Sequence, residues 1–165
     1  MTKEPIRKRA GAFFDRDGVL NVDHGYVYRP DQWDWALGAK EAILACNRLG
    51  YVVIVVTNQS GIGRGFYTEE AMRHLHAFVQ GELAPLGAHI DAFYFCPHLP
   101  EAQCRCRKPS PGMILDAIRD FQLDPSASFL LGDKDSDLAA AQAAGIRGIK
   151  HHSGDPFPLV PPLAL

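Results

Sequence analysis

The sequence predicts an α/β fold in which a mostly parallel sheet is flanked by helices. Short apolar runs alternate with segments of helical periodicity along the chain, which is typical of strand–helix–strand units. The run Tyr51–Val56 is continuously apolar and rich in β-branched residues, as expected of a strand that is buried on both faces. Polar side chains follow several of these runs directly, and in open α/β sheets ligands bind at that edge.

Two strands and one helix are predicted in the first third of the chain. Gly11–Phe14 is a short apolar run that ends abruptly and predicts the first strand. Ala39–Leu49 has helical periodicity and is followed by Gly50, a residue that suits a helix C-cap. Tyr51–Val56 predicts the second strand, which leads through polar residues into a glycine-rich turn at 61–65.

The rest of the chain continues the alternation of helices and strands. Thr68 is the predicted N-cap of a helix whose apolar stripe consists of Met72, Leu75, Val79 and Leu83. Pro111 takes the predicted first position of the next helix, and a further helix covers about residues 135–144 and stops at Gly145. The predicted strands in this part are Ala92–Phe95, Ser128–Leu131 and Ile146–Ile149.

Length and composition limit the classes of protein to which the chain can belong. The 165 residues are expected to form a single domain, 1–165, that ends in a proline-rich tail at about 155–165. A formal net charge of −2 excludes a generic nucleic-acid binder, which should be clearly basic. The longest apolar run, Val52–Val56, is too short to span a membrane, and no signal-peptide pattern is visible. We therefore expect a cytoplasmic monomer without nucleic-acid or membrane partners.

Acidic side chains cluster at the predicted strand ends. Asp15 and Asp17 follow the first strand directly, whereas Asp133 and Asp137 follow the strand at 128–131. Because the carboxyl ends of parallel strands meet at one edge of the sheet, these groups and Thr57 are expected to converge. Crowded carboxylates repel each other, and Mg²⁺ would neutralise such a cluster. For the first pair alone, a turn that caps a helix is an equally good interpretation.

A short segment rich in cysteine and histidine predicts a second metal site. Cys96 and His98 are followed, after five residues, by Cys104 and Cys106. Three thiolates and one imidazole make a closed tetrahedral site of the kind that holds structural Zn²⁺. A disulfide is not expected, because the loop is short and no secretion signal is visible. This zinc loop, at about 96–106, would position the basic residues that follow it.

Four ordered motifs carry a resemblance to a known superfamily. They are Asp15-x-Asp17-Gly-Val, Thr57 after an apolar strand, Lys108, and Gly132-Asp133-x3-Asp137. With these motifs the chain resembles the haloacid dehalogenase (HAD) superfamily of phosphatases. The resemblance implies a Rossmann-like α/β core and Mg²⁺-dependent hydrolysis of phosphate esters through an aspartyl-phosphate. The chain is too short for a separate cap domain besides this core and the zinc loop.

The resemblance also implies a role for each residue of these motifs. Asp15 would attack phosphorus, and Asp17 would protonate the leaving alcohol and later deprotonate the attacking water. Mg²⁺ would be held by Asp15, Asp133 and the backbone carbonyl of Asp17. Thr57 and Lys108 would bind the phosphoryl oxygens, and Asp137 would orient the metal waters or Lys108 instead of binding the metal directly.

Within the superfamily, the chain resembles the D-glycero-D-manno-heptose-1,7-bisphosphate 7-phosphatases. The segments that favour this family are DRDG at 15–18, NVDHGY at 21–26, TNQSGIGRG at 57–65, CRCRKP at 104–109 and GDK at 132–134. The resemblance implies a small-molecule sugar bisphosphate as substrate, in the formation of ADP-heptose and lipopolysaccharide core precursors. The substrate residues that it implies are Asp23, His24, Gly25, Tyr26, Thr57, Asn58, Gln59, Ser60, Arg107, Lys108 and Lys134.

Two other functions stay open at the level of sequence. The histidinol-phosphate phosphatase domain shares the aspartates and the zinc loop, and the short spacing between His98 and Cys104 occurs there as well. An imidazole-amine substrate would, however, require more acidic contacts than His24, Gln59 and Arg64 provide. The second alternative is a zinc-stabilised module that chelates metal in its acidic crevice and hydrolyses nothing.

Overall fold

Five parallel strands form the single sheet found among residues 7–158, which are the residues that the computed structural model describes. The strands are β1 Gly11–Phe14, β2 Val52–Asn58, β3 Ala92–Cys96, β4 Phe129–Gly132 and β5 Arg147–Lys150. They lie in the order β3-β2-β1-β4-β5, so that β1 occupies the centre. The predicted parallel α/β fold is therefore confirmed.

The helices cover both faces of the sheet. They are α1 Ala39–Arg48, α2 Ser60–Gly63, α3 Glu69–Leu83, α4 Gly112–Phe121 and α5 Asp135–Ala144. α1 and α3 pack with one hydrophobic cluster, whereas α4 and α5 pack with a second cluster on the opposite face. Successive residues of β2 alternate between the two clusters, and this double burial explains its continuous apolar run.

The segment after Val56 differs from the prediction in two ways. β2 continues to Asn58, because Thr57 and Asn58 pair with the last two residues of β3. Thr57 thus lies within the strand and not beyond it. The predicted turn at 61–65 begins as the short helix α2, in which Gly61 lies so close to Tyr67 that a Cβ would be 2.1 Å from the tyrosine ring. Only glycine fits at that position.

The helix ends agree with the sequence signals to within one residue. Thr68 caps α3, and its side chain accepts a hydrogen bond from the backbone of Ala71. Gly145 is the left-handed C-cap of α5. Gly50 lies one residue beyond the cap of α1, and Pro111 is the N-cap of α4 instead of its first helical residue.

The chain after β5 packs back onto the molecule. His151 is buried and its ring packs against Phe157, with centroids 4.3 Å apart and the rings tilted by 32°. The backbone N–H of Ser153 donates to the carbonyl of Gly18. Of the predicted proline-rich tail, residues 159–165 lie outside the described residues. No helix in the described part of the chain is both long and apolar enough to cross a membrane.

Candidate active site

A cavity of about 540 Å³ lies at the carboxyl edge of the sheet. Asp15 follows the central strand β1, Asp133 follows β4, and Thr57 lies near the end of β2. The predicted site residues that line the cavity are Asp15, Asp17, Asp23, Gly25, Tyr26, Thr57, Asn58, Gln59, Ser60, Arg107, Lys108, Lys134 and Asp137. The topology therefore brings together side chains from distant parts of the sequence.

Lys108 lies between two acidic side chains at the floor of the cavity. Its Nζ is 2.9 Å from Oδ1 of Asp15 and 2.6 Å from Oδ1 of Asp137, and it donates to the carbonyl of Val56 at 2.8 Å. All three charged side chains are buried. The backbone N–H of Arg16 also donates to Oδ1 of Asp15, which fixes the orientation of this carboxylate.

Burial and the ion pair between Asp15 and Lys108 shift the pKa values of these two groups in opposite directions. Burial raises the pKa of Asp15 well above its ordinary value, and the nearby charge of Asp137 adds to that increase, although Lys108 opposes it. Burial alone would lower the pKa of Lys108, but Asp15 and Asp137 outweigh burial, so that the pKa of Lys108 is raised. The amine therefore remains protonated and offers a fixed positive charge to an incoming anion.

The geometry of the acidic cluster fits a divalent cation. Oxygen atoms of Asp15, Asp133 and Asp137 all lie within 4.8 Å of one another. Two of these three acidic side chains, Asp15 and Asp137, contact the ammonium of Lys108, so that acidic groups outnumber the cation in this cluster. Among the described residues, Oδ1 of Asp133 is buried without a hydrogen-bond partner, and a bound ion or water is a common explanation for a buried polar atom of this kind. Oxygen donors with this charge are the ligands that Mg²⁺ prefers.

A tight turn brings the first acidic motif against Asp133. Gly18 has a φ of +88°, and a Cβ at this position would be 2.3 Å from Oδ2 of Asp133. A side chain at position 18 would therefore be strained and would displace the carboxylate. The glycine of the DRDG motif is explained by this close approach.

Asp17 is held in place by a dense set of hydrogen bonds. Its Oδ1 accepts from the side chains of Arg16 and Asn21 at 3.0 Å each, and its Oδ2 accepts from Nε2 of Gln59 at 3.0 Å. Burial alone would raise the pKa of Asp17, but the charge of Arg16 and these hydrogen bonds outweigh burial and lower the pKa. Asp17 is consequently a carboxylate in the ligand-free protein.

Gln59 connects Asp17 to the phosphate-binding side of the cavity. Its Nε2 also donates to Oγ1 of Thr57 at 2.8 Å, and its Oε1 accepts from the hydroxyl of Tyr67 at 2.5 Å. Burial raises the pKa of Tyr67 to about 12, so that the phenol stays protonated and can donate. The amide orientation of Gln59 is thereby determined by its two neighbours.

The outer wall of the cavity contains groups that suit a hydroxylated, anionic ligand. Arg107 and Lys134 contribute positive charge, and Asp23 contributes a carboxylate. Tyr26 lines the same wall and packs edge-on against Phe66, with ring centroids 4.9 Å apart. His24 differs from the prediction, because its Nε2 is 3.1 Å from Oδ2 of Asp34 at the surface and its side chain does not line the cavity.

The four side chains predicted to hold zinc also lie close together in the structure. Ligand atoms of Cys96, His98, Cys104 and Cys106 all lie within 4.8 Å of one another, and all three thiols are free. Burial alone would raise the pKa of Cys104, but the backbone of Arg107 and the neighbouring thiols donate hydrogen bonds that lower this pKa to about 6. A thiolate is the form that binds Zn²⁺, and three sulfurs with one imidazole nitrogen match a structural zinc site.

Backbone and side-chain hydrogen bonds connect this zinc loop to the cavity. The side chain of Asn58 pairs with the backbone of Lys108 through two hydrogen bonds of 3.1 Å. The backbone N–H of Gln59 donates to the carbonyl of Cys96 at 2.7 Å, and that of Gly63 donates to Pro97 at 3.0 Å. The loop therefore positions the end of β2, α2 and Lys108 relative to one another.

Comparisons with known proteins identify the family. The HAD-hydrolase-like family model matches residues 105–155. A curated relative from Pasteurella multocida, named D-glycero-beta-D-manno-heptose-1,7-bisphosphate 7-phosphatase, is 43% identical over 82% of this chain and 77% of its own length. A relative from Burkholderia mallei, named for the alpha anomer, is 47% identical over 84% of this chain and 77% of its own length. The chain belongs to this family of HAD phosphatases. It is a phosphoric monoester hydrolase.

Solved structures of the heptose bisphosphate phosphatase family have the same fold. The Bordetella bronchiseptica D,D-heptose 1,7-bisphosphate phosphatase, complexed with magnesium and phosphate, superposes with a TM-score of 0.80 at 36% identity and covers 84% of this chain and 78% of its own. The corresponding phosphatase from Burkholderia thailandensis gives a TM-score of 0.61 at 34% identity, covering 84% of this chain and 76% of its own. The Rossmann-like HAD core expected from the motifs is therefore confirmed.

The structure also places residues in this phosphatase site that the sequence did not indicate. Tyr67 lines the cavity and bonds to Gln59, whereas Arg16 and His76 lie behind Asp17. Arg16 stands within the DRDG motif and could have been considered on that ground. His76 carries no sequence signal, because its contact with Arg16 spans 60 residues and depends on how α3 packs.

Proposed function

We propose that the chain hydrolyses the 7-phosphate of D-glycero-D-manno-heptose 1,7-bisphosphate in a Mg²⁺-dependent reaction through an aspartyl-phosphate. The observation that carries the proposal is the 41–47% identity to relatives of that name over more than four fifths of the chain. The product would enter the formation of ADP-heptose for the lipopolysaccharide core. The acidic and basic groups of the cavity support each step of this reaction.

The first step forms a bond between a carboxylate oxygen of Asp15 and phosphorus, and it breaks the bond from phosphorus to the sugar oxygen. Asp17 transfers a proton to that oxygen. Because the bound phosphate dianion is negatively charged, it raises the pKa of Asp17 against the effect of Arg16 and favours the protonated form. Lys108 and Thr57 donate to the phosphoryl oxygens, on which charge accumulates in the transition state.

The second step restores the enzyme. Asp17, now a carboxylate, accepts a proton from water, and the water oxygen attacks phosphorus while the bond to Asp15 breaks. Inorganic phosphate leaves and Asp15 is regenerated. Asp15 and Asp133, with the backbone carbonyl of Asp17, would hold Mg²⁺, which would supply positive charge that keeps Asp15 ionised and offsets its repulsion from the phosphate.

The distal part of the substrate would contact the outer wall. The 1-phosphate is a dianion, and Arg107 and Lys134 are the cations of the cavity wall that remain for it, since Lys108 is engaged at the floor. Asp23 and Asn58 can hydrogen-bond to sugar hydroxyl groups. We propose in addition that Zn²⁺ occupies the cysteine and histidine cluster in a structural role.

The experiment compares kcat/KM for three substrates in the presence of Mg²⁺. They are the alpha and beta anomers of heptose 1,7-bisphosphate and histidinol phosphate, because relatives are named for both anomers. We expect one of the two anomers to exceed histidinol phosphate by at least about tenfold, since a monophosphate forms no ion pair with Arg107 and Lys134. A preference for histidinol phosphate would overturn the substrate assignment. Removal of Mg²⁺ by chelation should abolish turnover.

A further inference from the structure

Arg16 is a cation that lies wholly inside the protein. Its side chain has no exposed surface, and it is among the largest fully buried side chains in the described part of the chain. A buried charge is strongly unfavourable unless it is paired and hydrogen-bonded. The residues around the guanidinium group therefore show what this charge does in the molecule.

The guanidinium group makes contacts in three directions. Nη2 is 3.0 Å from each carboxylate oxygen of Asp17, and Nε is 3.3 Å from Oδ1 of the same residue. Nη2 also donates to the backbone carbonyl of Val27 at 2.5 Å. Nη1 is 3.3 Å from Nε2 of His76 on α3. Because guanidinium can only donate, Nε2 of His76 must be the acceptor, and the ring is neutral with its proton on Nδ1.

His76 is itself fixed by packing. Its ring is buried and stacks on Phe93 of β3, with centroids 4.2 Å apart and an angle of 10° between the rings. A rigid series of contacts thus leads from β3 through His76 and Arg16 to Asp17. Neither His76 nor Arg16 lines the cavity.

We propose that Arg16, braced by His76 and the Val27 carbonyl, is a positioning residue that holds the carboxylate of Asp17 in the orientation needed for proton transfer. The inference rests on the proposed function, in which Asp17 is the acid and then the base. Proton transfer requires the carboxylate to lie within hydrogen-bond distance of the leaving oxygen, and a planar guanidinium group fixes both position and plane of its partner. Lysine would offer a point charge on a flexible stem in place of the planar fork that contacts Asp17, Val27 and His76.

The test uses the dependence of the rate on the leaving group. An alkyl oxygen, as in the sugar phosphate, needs a proton to leave, whereas p-nitrophenolate leaves readily without one. We expect Arg16→Met to lower kcat/KM for heptose 1,7-bisphosphate by about 100-fold, the scale of a lost general acid, but that for p-nitrophenyl phosphate by less than about threefold. Arg16→Lys should recover part of the loss. KM for the bisphosphate should stay within about twofold, because Arg16 does not reach the phosphate-binding residues.

A second pair of variants covers the case in which Arg16→Met fails to fold. His76→Leu keeps an apolar side chain against Phe93 but removes the acceptor for Arg16, and His76→Gln restores an acceptor oxygen. We expect a leaving-group-selective loss of about tenfold in His76→Leu and a near wild-type ratio in His76→Gln. Val79→Ala is the control, because Val79 lies in the core on the same helix as His76. This substitution should lower stability but leave the ratio of kcat/KM for the two substrates unchanged.

Equal losses on both substrates in these variants would overturn the positioning role, as would a change in KM alone. The proposed function fails in a different way. If the wild type hydrolysed p-nitrophenyl phosphate but not heptose 1,7-bisphosphate, the proposed substrate would be wrong. The Arg16 inference would then be judged on the same ratio with glycerol phosphate as the alkyl ester.

Discussion

The side chains at the floor of the cavity owe their properties to their immediate neighbours. Lys108 is buried between Asp15 and Asp137, and the opposite charges of these groups offset the cost of burying them. Asp133 completes the cluster with an oxygen that has no hydrogen-bond partner among residues 7–158. The surplus of negative charge that results is the physical basis for expecting Mg²⁺ at this point.

The buried ring of His76 predicts how the stability of the protein depends on pH. Burial lowers the pKa of His76 from 6.5 to about 3, and the charge of Arg16 adds to the effect. The unfolded chain therefore binds one more proton than the folded chain between these pH values. The stabilisation is complete above pH 6.5 and is lost as the pH falls toward 3, with a slope of up to about 1.4 kcal/mol per pH unit.

The measurement is the free energy of unfolding in urea at pH 7 and pH 5. Between these values the wild type should lose about 2 kcal/mol more than His76→Gln, because the variant has no group that titrates at position 76. An identical pH dependence in the two proteins would show that His76 is not buried as a neutral ring.

Single residues also mark the limit of prediction from sequence. Asp15, Asp133 and Lys108 could be placed because each is adjacent to a strand end or to the zinc loop in the sequence. The contact between Arg16 and His76 could not be predicted, because it forms only when α3 packs with the hydrophobic cluster that it shares with α1. His24 was expected in the site for its place in a motif, and the structure pairs it instead with Asp34, which no local pattern indicates.

At the scale of elements, the zinc loop and β2 depend on each other. β2 extends to Asn58 because β3 pairs with it as far as Cys96, the first ligand of the cluster. Asn58 in turn holds the backbone of Lys108. The sequence predicted both segments but not this extension, since strand length was set by a partner strand and not by the apolar run.

Loss of a zinc ligand should therefore affect both stability and catalysis. We expect the wild type to contain one equivalent of Zn²⁺, and Cys104→Ser to lose it, with a fall in unfolding free energy on the order of several kcal/mol. Phosphatase activity should fall as well, because Lys108 follows the loop directly. Metal analysis and thermal unfolding check this result. Cys46→Ala is the control. Cys46 is buried in the hydrophobic cluster of α1 and α3, away from the zinc ligands, so its substitution should leave the zinc content unchanged. A zinc-free protein of full stability would contradict the structural role.

At the scale of the whole molecule, the parallel sheet explains why the site exists. The strand order places β1 between β2 and β4, so that Asp15, Thr57 and Asp133 meet at one edge although up to 118 positions separate them in the sequence. This convergence was predictable, because it follows from the parallel arrangement alone. The shape of the outer wall was not, since it depends on loops whose conformation is set by tertiary packing.

Asp15→Asn shows whether Asp15 carries the phosphoryl group during turnover. The measurement is the release of inorganic phosphate from heptose 1,7-bisphosphate by the wild type and the variant, with thermal unfolding as a check on the fold. We expect the variant to stay folded and to lose turnover by at least about 10⁴-fold, because an amide oxygen is a far weaker nucleophile than a carboxylate. Turnover close to that of the wild type in a folded Asp15→Asn protein would show that Asp15 is not the nucleophile.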